Sequence, residues 1–414
     1  MPTVQPLTLD LIRRQWLGDV PSPPHDALTP EERRIHLEQF PLSYLGVTRA
    51  PEDFVATAGK TAFDLLADGR KSLEHLISND VFEPAIEPRY FVYRLSDGEH
   101  QQTGLVCGVT VADYDNGQVR IHERIKADRA DHLANHLAVV GAQSSPIALA
   151  SRDPGGTLSR LLAKSTRAEP ALDFVTHDGL HQQVWPVTDA DMTHQLTEVA
   201  SAEPLYLIDG HHRAAAAAIH LHRDGDGGGA RPGDHWILST VFPANEMRNQ
   251  AFHRVVKVDS PADLIALLHS RFDIRPIASL SEVSHRGDGV IAVGHSPTAG
   301  NVDWSLLWLP EPTRPLNVVE QLEPSRLAEV ILGPLLTIDE SNPQGRLRYV
   351  PGPATAAALD RLSIAPDEVV FAMRHVTMDE LFRASDEGLV MPPKSTYFTP
   401  KVRSGLFLHF KDRV

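Results

Sequence analysis

The chain has 414 residues, 42% of them hydrophobic and 22% charged, which is typical of a globular protein with one large domain or two. Its formal net charge of −15 argues against unspecific binding to nucleic acid or anionic membranes. One cysteine, Cys107, excludes an internal disulfide framework and a cysteine-based zinc site. No run reaches the roughly 20 apolar residues of a membrane span, and residues 1–25 lack a signal-peptide pattern, so we expect a cytoplasmic protein.

Residues 1–84 are predicted to form an N-terminal extension. Most of the first 55 residues are proline-rich and irregular, but Thr29-Pro30-Glu31-Glu32 has the order of a helix start: an N-cap, a proline at the first helical position, then acids. Residues 56–80 carry apolar side chains at helical spacing, which predicts an amphipathic helix.

Residues 85–260 are predicted to form the core. Residues 89–94 and 103–111 are expected to be two buried strands joined by a polar turn. Helices and strands then follow one another at residues 118–122 (strand), 127–140 (helix), 146–150 (strand), 172–185 (short strands), 188–200 (helix), 205–208 (strand), 214–219 (start of an alanine-rich helix) and 236–242 (strand).

Residues 261–414 are predicted to form a C-terminal α/β domain that packs on the core. Its expected elements are a helix at 262–272, strands near 290–293 and 304–309, a helix at 324–331, a strand at 368–373 and a helix at 377–384. The fold class expected for the whole chain is therefore α/β, of the α+β kind.

The most informative segment is Asp209-Gly210-His211-His212-Arg213, which we call the DGHHR turn. It lies between a strand and the alanine-rich helix, so it directs the unpaired N–H groups and positive dipole end of the helix, with the Arg213 guanidinium, at one point. Such a point binds phosphate or another anion. The two histidines titrate near neutrality. The alternative is a plain helix cap, with Asp209 capping and two solvated histidines.

The DGHHR turn resembles the phosphate-binding turn of the ParB/sulfiredoxin superfamily, and within it most closely the free serine kinases and the bacterial domain-of-unknown-function family 1015. Other segments resemble the same family in the same order along the chain, namely residues 20–26 (Val-Pro-Ser-Pro-Pro-His-Asp), 121–124 (Ile-His-Glu-Arg), 128–129 (Asp-Arg), 145–147 (Ser-Pro-Ile), 253–255 (His-Arg-Val), 391–398 (Met-Pro-Pro-Lys-Ser-Thr-Tyr-Phe), 400–401 (Pro-Lys) and 404–406 (Ser-Gly-Leu). The resemblance implies a ParB/sulfiredoxin-like core at residues 85–260.

The resemblance also implies a kinase that transfers a phosphate of ATP or ADP to free L-serine or a similar hydroxylated metabolite. Glu123 is then the general base that takes the hydroxyl proton. The alternative for Glu123 is a surface acid paired with Arg124 or Lys126. Phosphoryl transfer needs alignment and charge neutralisation more than covalent chemistry, and the DGHHR turn is expected to supply both.

Within the expected site, Asp209 and His211 are candidate catalytic residues, and the whole DGHHR turn is the candidate phosphate site. Mg²⁺ is expected on Asp209 or on the phosphates. Arg129 either bridges phosphates or closes a helix start together with Asp128.

Three residues of the later segments are candidates for substrate binding: His253, Arg254 and Lys394. Lys394 follows two prolines, so its ammonium is presented by a stiff backbone and is expected to face the DGHHR turn. The alternative is an exposed lysine on a docked tail.

Two other functions stay open from the sequence. One is a nucleotide-binding regulatory switch of the ParB kind, and the other is a phosphatase or nucleotide hydrolase. The expected partners are a nucleotide and a small-molecule substrate, without nucleic acid or membrane, and the sequence does not determine the oligomeric state.

Overall fold

The computed structural model describes residues 1–25, 28–48, 62–225, 230–284, 286–287, 289–298 and 301–413. These residues form two compact units. The first unit contains residues Met1–Ile121, Ile125–Met247 and Pro400–Val414, and the second contains His122–Arg124 and Arg248–Thr399. The expected boundaries after residues 84 and 260 do not coincide with these units, because residues 1–84 and the last fifteen residues belong to the same unit as most of the expected core.

The structure mixes helices with strands in both units, which confirms the α+β fold class. In chain order, the strands of the described residues are β1 (Val4–Gln5), β2 (Asp10–Ile12), β3 (Phe82–Glu83), β4 (Phe91–Ser96), β5 (Gln101–Thr110), β6 (Val119–Arg120), β7 (Ala142–Gln143), β8 (Ile147–Ser151), β9 (Leu172–Val175), β10 (His181–Pro186), β11 (Leu205–Asp209), β12 (Trp236–Pro243), β13 (Asn249–Lys257), β14 (Asp273–Pro276), β15 (Val290–Thr298), β16 (Asn301–Trp308), β17 (Leu347–Gly352), β18 (Glu368–Ala372), β19 (Tyr397–Phe398) and β20 (Phe407–Phe410).

The α-helices that the same residues form are α1 (Pro30–Gln39), α2 (Ala62–Ser78), α3 (Val111–Asp115), α4 (Ala127–Val140), α5 (Thr157–Ser165), α6 (Ala190–Ala200), α7 (His211–Gly225), α8 (Pro261–Arg271), α9 (Ser281–Ser284), α10 (Val318–Gln321), α11 (Glu323–Leu327), α12 (Gly333–Leu336), α13 (Ala356–Leu359) and α14 (Met378–Asp386). Within the described ranges, no helix is both long and apolar enough to cross a membrane.

The first unit is built on a mixed sheet with the strand order β6-β11-β8-β12-β5-β4-β10-β9, and β1 pairs with β5. β11 pairs parallel with β6 and antiparallel with β8, while β8 pairs parallel with β12. A smaller sheet in the same unit has the order β3-β2-β20-β7. The start of β8 and the end of β11 therefore lie next to each other at one end of the main sheet's strands, where the DGHHR turn begins.

The alanine-rich helix α7 packs directly on this sheet. Its five consecutive alanines, residues 214–218, are all buried. Ala214, Ala217 and Ala218 belong to the same core as Leu205 and Leu207 of β11. Small side chains let the helix axis approach the sheet closely, so the first turn of α7 lies near the end of β11.

The predicted helix starts are largely confirmed. Thr29 caps α1 with a reciprocal capping box to Glu32, as the sequence order indicates. The helix predicted at 188–200 is observed as α6, Ala190–Ala200, and its N-cap is Asp189, whose carboxylate accepts a hydrogen bond from the Met192 N–H at 2.7 Å. The predicted strand at 118–122 is reduced to the two residues of β6. The predicted amphipathic stretch begins before residue 62, and residues 56–61 lie outside the described residues.

The second unit contains an antiparallel sheet with the order β14-β16-β15-β18-β13-β17, and β19 pairs with β13. The predicted helix at 324–331 is observed as α11, which continues through a π-helical turn at Ala328–Leu332 into α12. Pro334 explains the irregularity, because proline lacks the N–H group that a regular α-helical ladder needs at that position.

Candidate nucleotide site

The DGHHR turn requires glycine at its second position. Gly210 has a φ angle of +94°, a conformation that side chains other than glycine rarely adopt. A Cβ atom at this position would lie 2.9 Å from both Arg213 Cζ and Ile147 Cγ2. The sharp change from β11 to α7 therefore depends on the absence of a side chain.

Arg213 holds the turn against the loop that precedes β8. Its guanidinium donates hydrogen bonds to the carbonyl oxygens of Ser145, at 3.0 Å, and Pro146. It also donates to the Asp209 carboxylate at 2.6 Å. The sequence analysis predicted that this group binds an anion. In the structure, three of its five N–H groups donate hydrogen bonds within the protein itself.

Asp209 lies between two cations. One carboxylate oxygen accepts from Arg213, and the other accepts from the Lys401 ammonium. In the described part of the chain, no group of three His, Cys, Asp or Glu side chains is placed to hold a metal ion. A carboxylate engaged by two cations does not fit the predicted Mg²⁺ ligand, so we assign Asp209 the role of organising the turn.

Lys401 is a site residue that the sequence analysis did not select. The Pro400-Lys401 pair lies in a segment that resembles the family, and this was the signal available. The side chains of Lys401 and Asp209 are 18% and 12% exposed. An ion pair that is largely shielded from water is stronger than one at the surface, and this pair ties the C-terminal segment of the first unit to the DGHHR turn.

The starts of two helices meet at the turn. The backbone N–H of Lys126, the N-cap residue of α4, donates to His212 Nε2 at 3.2 Å. Farther along, Arg223 of α7 donates to Asp131 of α4 at 2.9 Å, so the two helices run in the same direction. Their positive dipole ends are therefore directed to the same place, and the N-terminal end of a helix is a feature that favours anions.

A cavity of about 650 Å³ opens at this place, entirely within the first unit. Its walls carry four basic side chains and one acid, namely Arg33, Lys126, Arg129, Arg213 and Asp128. This local excess of positive charge contrasts with the net charge of −15 of the whole chain. Of the candidate site residues, Arg129, Gly210, His212 and Arg213 line this one cavity, together with Lys126 and Arg33; their role in binding a nucleotide stays a prediction.

Four histidines also line the cavity: His25, His132, His136 and His212. Burial lowers the pKa of His136, and the neighbouring His132 and His25 act in the same direction. Its ring Nε2 is 2.7 Å from the Val47 carbonyl oxygen, to which it donates. His211, by contrast, does not line the cavity and is only 5% exposed, so its environment favours a packing role in the turn.

Glu123 belongs to the short segment His122–Arg124 of the second unit. The His122 carbonyl accepts from the Met391 N–H at 2.8 Å, and its ring Nε2 lies 3.2 Å from Thr396 Oγ1. The segment that carries Glu123 is thus attached to the Met-Pro-Pro-Lys-Ser-Thr-Tyr-Phe segment (residues 391–398). The role of Glu123 as general base stays a prediction.

The predicted substrate residues His253 and Arg254 are both buried in the second unit. Arg254 donates to Glu340 at 3.1 Å and to the backbone carbonyls of Phe252, Pro393 and Lys394. The Nδ1 atom of His253 accepts from the Met373 N–H at 3.2 Å, and burial lowers its pKa to about 4. These environments favour structural roles, so we leave both residues out of the proposed site.

Lys394 has a left-handed backbone with a φ angle of +55°, and its side chain is exposed. Its ammonium lies 5.2 Å from the centroid of the Phe252 ring, within the range of a cation–π interaction. The carbonyl of the same residue accepts from Arg254. Substrate binding by Lys394 stays a prediction.

Three solved structures are similar to this chain at low identity. A free serine kinase mutant in complex with ADP is 14% identical, with a TM-score of 0.37 over 73% of this chain and 92% of that one. A conserved hypothetical protein from Pyrococcus furiosus is 14% identical, with a TM-score of 0.37 over 73% and 95%. C-terminally truncated SbnI from Staphylococcus aureus is 10% identical, with a TM-score of 0.36 over 72% and 85%.

Among curated proteins, none matches this sequence. A family model described as "Protein of unknown function (DUF1015)" matches residues 8–323, which is most of the chain and includes the DGHHR turn and the cavity. This protein therefore belongs to the DUF1015 family.

Proposed function

We propose that this protein is a small-molecule kinase that binds ATP or ADP in the first-unit cavity and transfers a phosphate to the hydroxyl of a small metabolite. The observation that carries the proposal is the cavity itself, where the starts of α4 and α7 meet and where Lys126, Arg129 and Arg213 line the wall. Its volume of about 650 Å³ suits a nucleotide-sized ligand, since small-molecule sites enclose about 300–1,000 Å³.

Phosphates are the ligand class that this end of the cavity fits best. Helix N–H groups and guanidinium groups bind phosphate oxygens through charge-assisted hydrogen bonds, which are about twice as strong as neutral ones. Lys126 is the N-cap residue of α4, and Arg129 extends from its first turn. These groups neutralise and align the phosphates, which is the main requirement of phosphoryl transfer.

The acceptor is proposed from sequence resemblance. The DGHHR turn resembles that of free serine kinases, so free L-serine or a similar hydroxylated metabolite is the proposed acceptor. Glu123 is proposed as the base that removes the hydroxyl proton as the oxygen attacks phosphorus.

The experiment that tests this function is incubation of the full chain with ADP or ATP and a pool of hydroxylated metabolites that includes L-serine. Mass spectrometry should detect one phosphorylated acceptor, whose formation requires the nucleotide. An Arg129→Gln variant, which removes one cavity cation, should form less product, whereas Lys164→Gln, at an exposed residue that does not line the cavity, is the control. Phosphate release without any acceptor would instead identify a nucleotide hydrolase, and nucleotide binding without turnover would identify a switch.

A further inference from the structure

We propose that the cavity is divided along its length, with the phosphates at the helix starts and the nucleoside in a less charged half that the described residues of the N-terminal segment, 24–25 and 28–48, line. This inference rests on the proposed nucleotide function and adds the orientation of the ligand and the residues that select its nucleoside part. It makes the N-terminal segment a specificity-determining wall of the site.

Helix α4 changes character along the cavity. Lys126, Asp128 and Arg129 lie at its start, whereas the cavity-lining Leu133 and Leu137 come later. At a rise of 1.5 Å per residue, these leucines are about 10 and 16 Å along the helix axis from Lys126. The cavity wall that α4 forms is therefore charged at its start, while farther along it consists of these two leucines and the imidazoles of His132 and His136.

Helix α7 changes in the same direction. Gly210 and Arg213 line the cavity at its start, and Ala216 and Ala217 line it about one turn later. Because α4 and α7 run in the same direction, their apolar stretches lie side by side. Alanine side chains are short, so this part of the wall leaves room for a bulky, flat ligand group.

The N-terminal segment faces the less charged half. The hydrogen bond between His136 Nε2 and the Val47 carbonyl places the end of the segment beside the third turn of α4. Next to it, Thr48 lines the cavity, as do Pro24 and Leu28. His25 and His136 line the same cavity.

Arg33 stiffens this wall from within. It is 4% exposed, and its guanidinium donates to the carbonyls of His25, at 2.9 Å, and Leu28, at 2.6 Å. The segment on both sides of residues 26–27 is thus held in one arrangement next to the cavity. A preorganised wall of this kind lowers the entropy cost of ligand binding and supports selection between ligands.

The chemistry of a nucleoside fits this half better than that of a phosphate. A nucleobase presents two apolar faces and a polar edge, which match leucine and alanine walls with a few histidine and threonine groups at their margin. A phosphate chain placed there would lose its hydration without gaining the helix N–H groups. The polarity of the two ends therefore determines the orientation of the ligand.

The test compares ADP with pyrophosphate, which carries the same diphosphate without the nucleoside. Calorimetric titrations use the full-length protein, a Leu133→Trp variant that fills the less charged half, and a Leu161→Trp variant as control. Leu161 is a half-buried leucine of α5 that packs on the same core but does not line the cavity. Circular dichroism establishes that each variant is folded, and Thr48→Phe replaces Leu133→Trp if the latter does not fold.

We expect Leu133→Trp to weaken ADP binding at least tenfold and to change pyrophosphate binding less than twofold, with Leu161→Trp like the wild type. Unchanged ADP binding by the filled variant, or an equal loss for ADP and pyrophosphate, would overturn the divided cavity. If the wild-type protein binds neither ligand, the proposed function fails together with this inference. A failure of the divided cavity can therefore be distinguished from a failure of the proposed function.

Discussion

Arg213 connects the DGHHR turn, the loop before β8 and Asp209. Arg213→Ala should weaken ADP binding by about 1.5–3 kcal/mol, the usual size of a lost charge-assisted hydrogen bond. Because the loop carbonyls also lose their donors, the variant should be less stable than the wild type. Calorimetry and urea unfolding measure the two effects, and an unchanged ADP affinity in the folded variant would contradict the anion site.

The role of Gly210 in the turn can be tested by a stability measurement that needs no ligand. Gly210→Ala should destabilise the protein by about 2–4 kcal/mol, because the left-handed backbone costs about 1–2 kcal/mol and the new Cβ atom clashes with Arg213 and Ile147. Gly98→Ala is the matched control. Gly98 has a similar φ angle of +89°, but nothing lies within 4 Å of the Cβ position. Equal losses in urea unfolding would mean that close packing at the turn is unimportant.

At the scale of elements, β13 carries a buried histidine that links stability to pH. The pKa of His253 is lowered to about 4 by burial, whereas the unfolded chain has the ordinary value of about 6.5. The unfolded state therefore binds more protons between these values, so stability falls as the pH drops below about 6.5. The expected loss from His253 is about 2 kcal/mol between pH 6.5 and 5, at about 1.4 kcal/mol per pH unit.

Urea unfolding at pH 7 and pH 5 checks this effect. His253→Asn keeps an acceptor for the Met373 N–H and removes the titration, so its stability should depend less on pH than that of the wild type. His194→Asn, at a side chain that is 74% exposed, should leave the pH dependence unchanged. Identical pH dependence in all three proteins would contradict a buried neutral His253.

Local signals in the sequence predicted most of the elements, because hydrophobic spacing and capping residues act over one or two turns. The bounds of α4 and the N-cap of α1 at Thr29 are examples. The site was predicted less completely. The convergence of α4 with α7 depends on a contact between Lys126 and His212, 86 residues apart, and the Lys401–Asp209 pair joins residues 192 apart. A local sequence pattern cannot indicate contacts between residues so far apart along the chain. For the same reason, the burial of Arg254 could not be predicted from the residues next to it.

At the scale of the whole molecule, different segments of the chain are proposed to carry different steps of the reaction. Glu123→Gln keeps the shape of the side chain but removes its basicity, so turnover should fall by roughly 10²–10⁴ while ADP affinity stays nearly unchanged. Glu99→Gln, in an exposed turn, is the control. A native rate of acceptor phosphorylation in Glu123→Gln would exclude Glu123 as the base.

Substitution of Lys394 should change the binding of the acceptor and not the turnover number. If its ammonium binds the carboxylate of the acceptor, Lys394→Met should raise KM for the acceptor while leaving ADP affinity unchanged, because methionine can keep the apolar contact with Phe252. Steady-state kinetics with varied acceptor checks this expectation. An unchanged KM would leave Lys394 as an exposed lysine on the surface of its unit.

The central claim is that the cations where α4 and α7 begin bind the phosphates of a nucleotide. Its most direct measurement is calorimetric titration of ADP into the wild type, a Lys126→Gln/Arg129→Gln variant and a Lys164→Gln/Arg167→Gln control that removes two exposed cations elsewhere in the first unit. We predict that the wild type and the control bind ADP alike, and that the cavity variant binds it at least tenfold more weakly. Absence of ADP binding to the wild type, or equal affinity in all three proteins, would contradict the account.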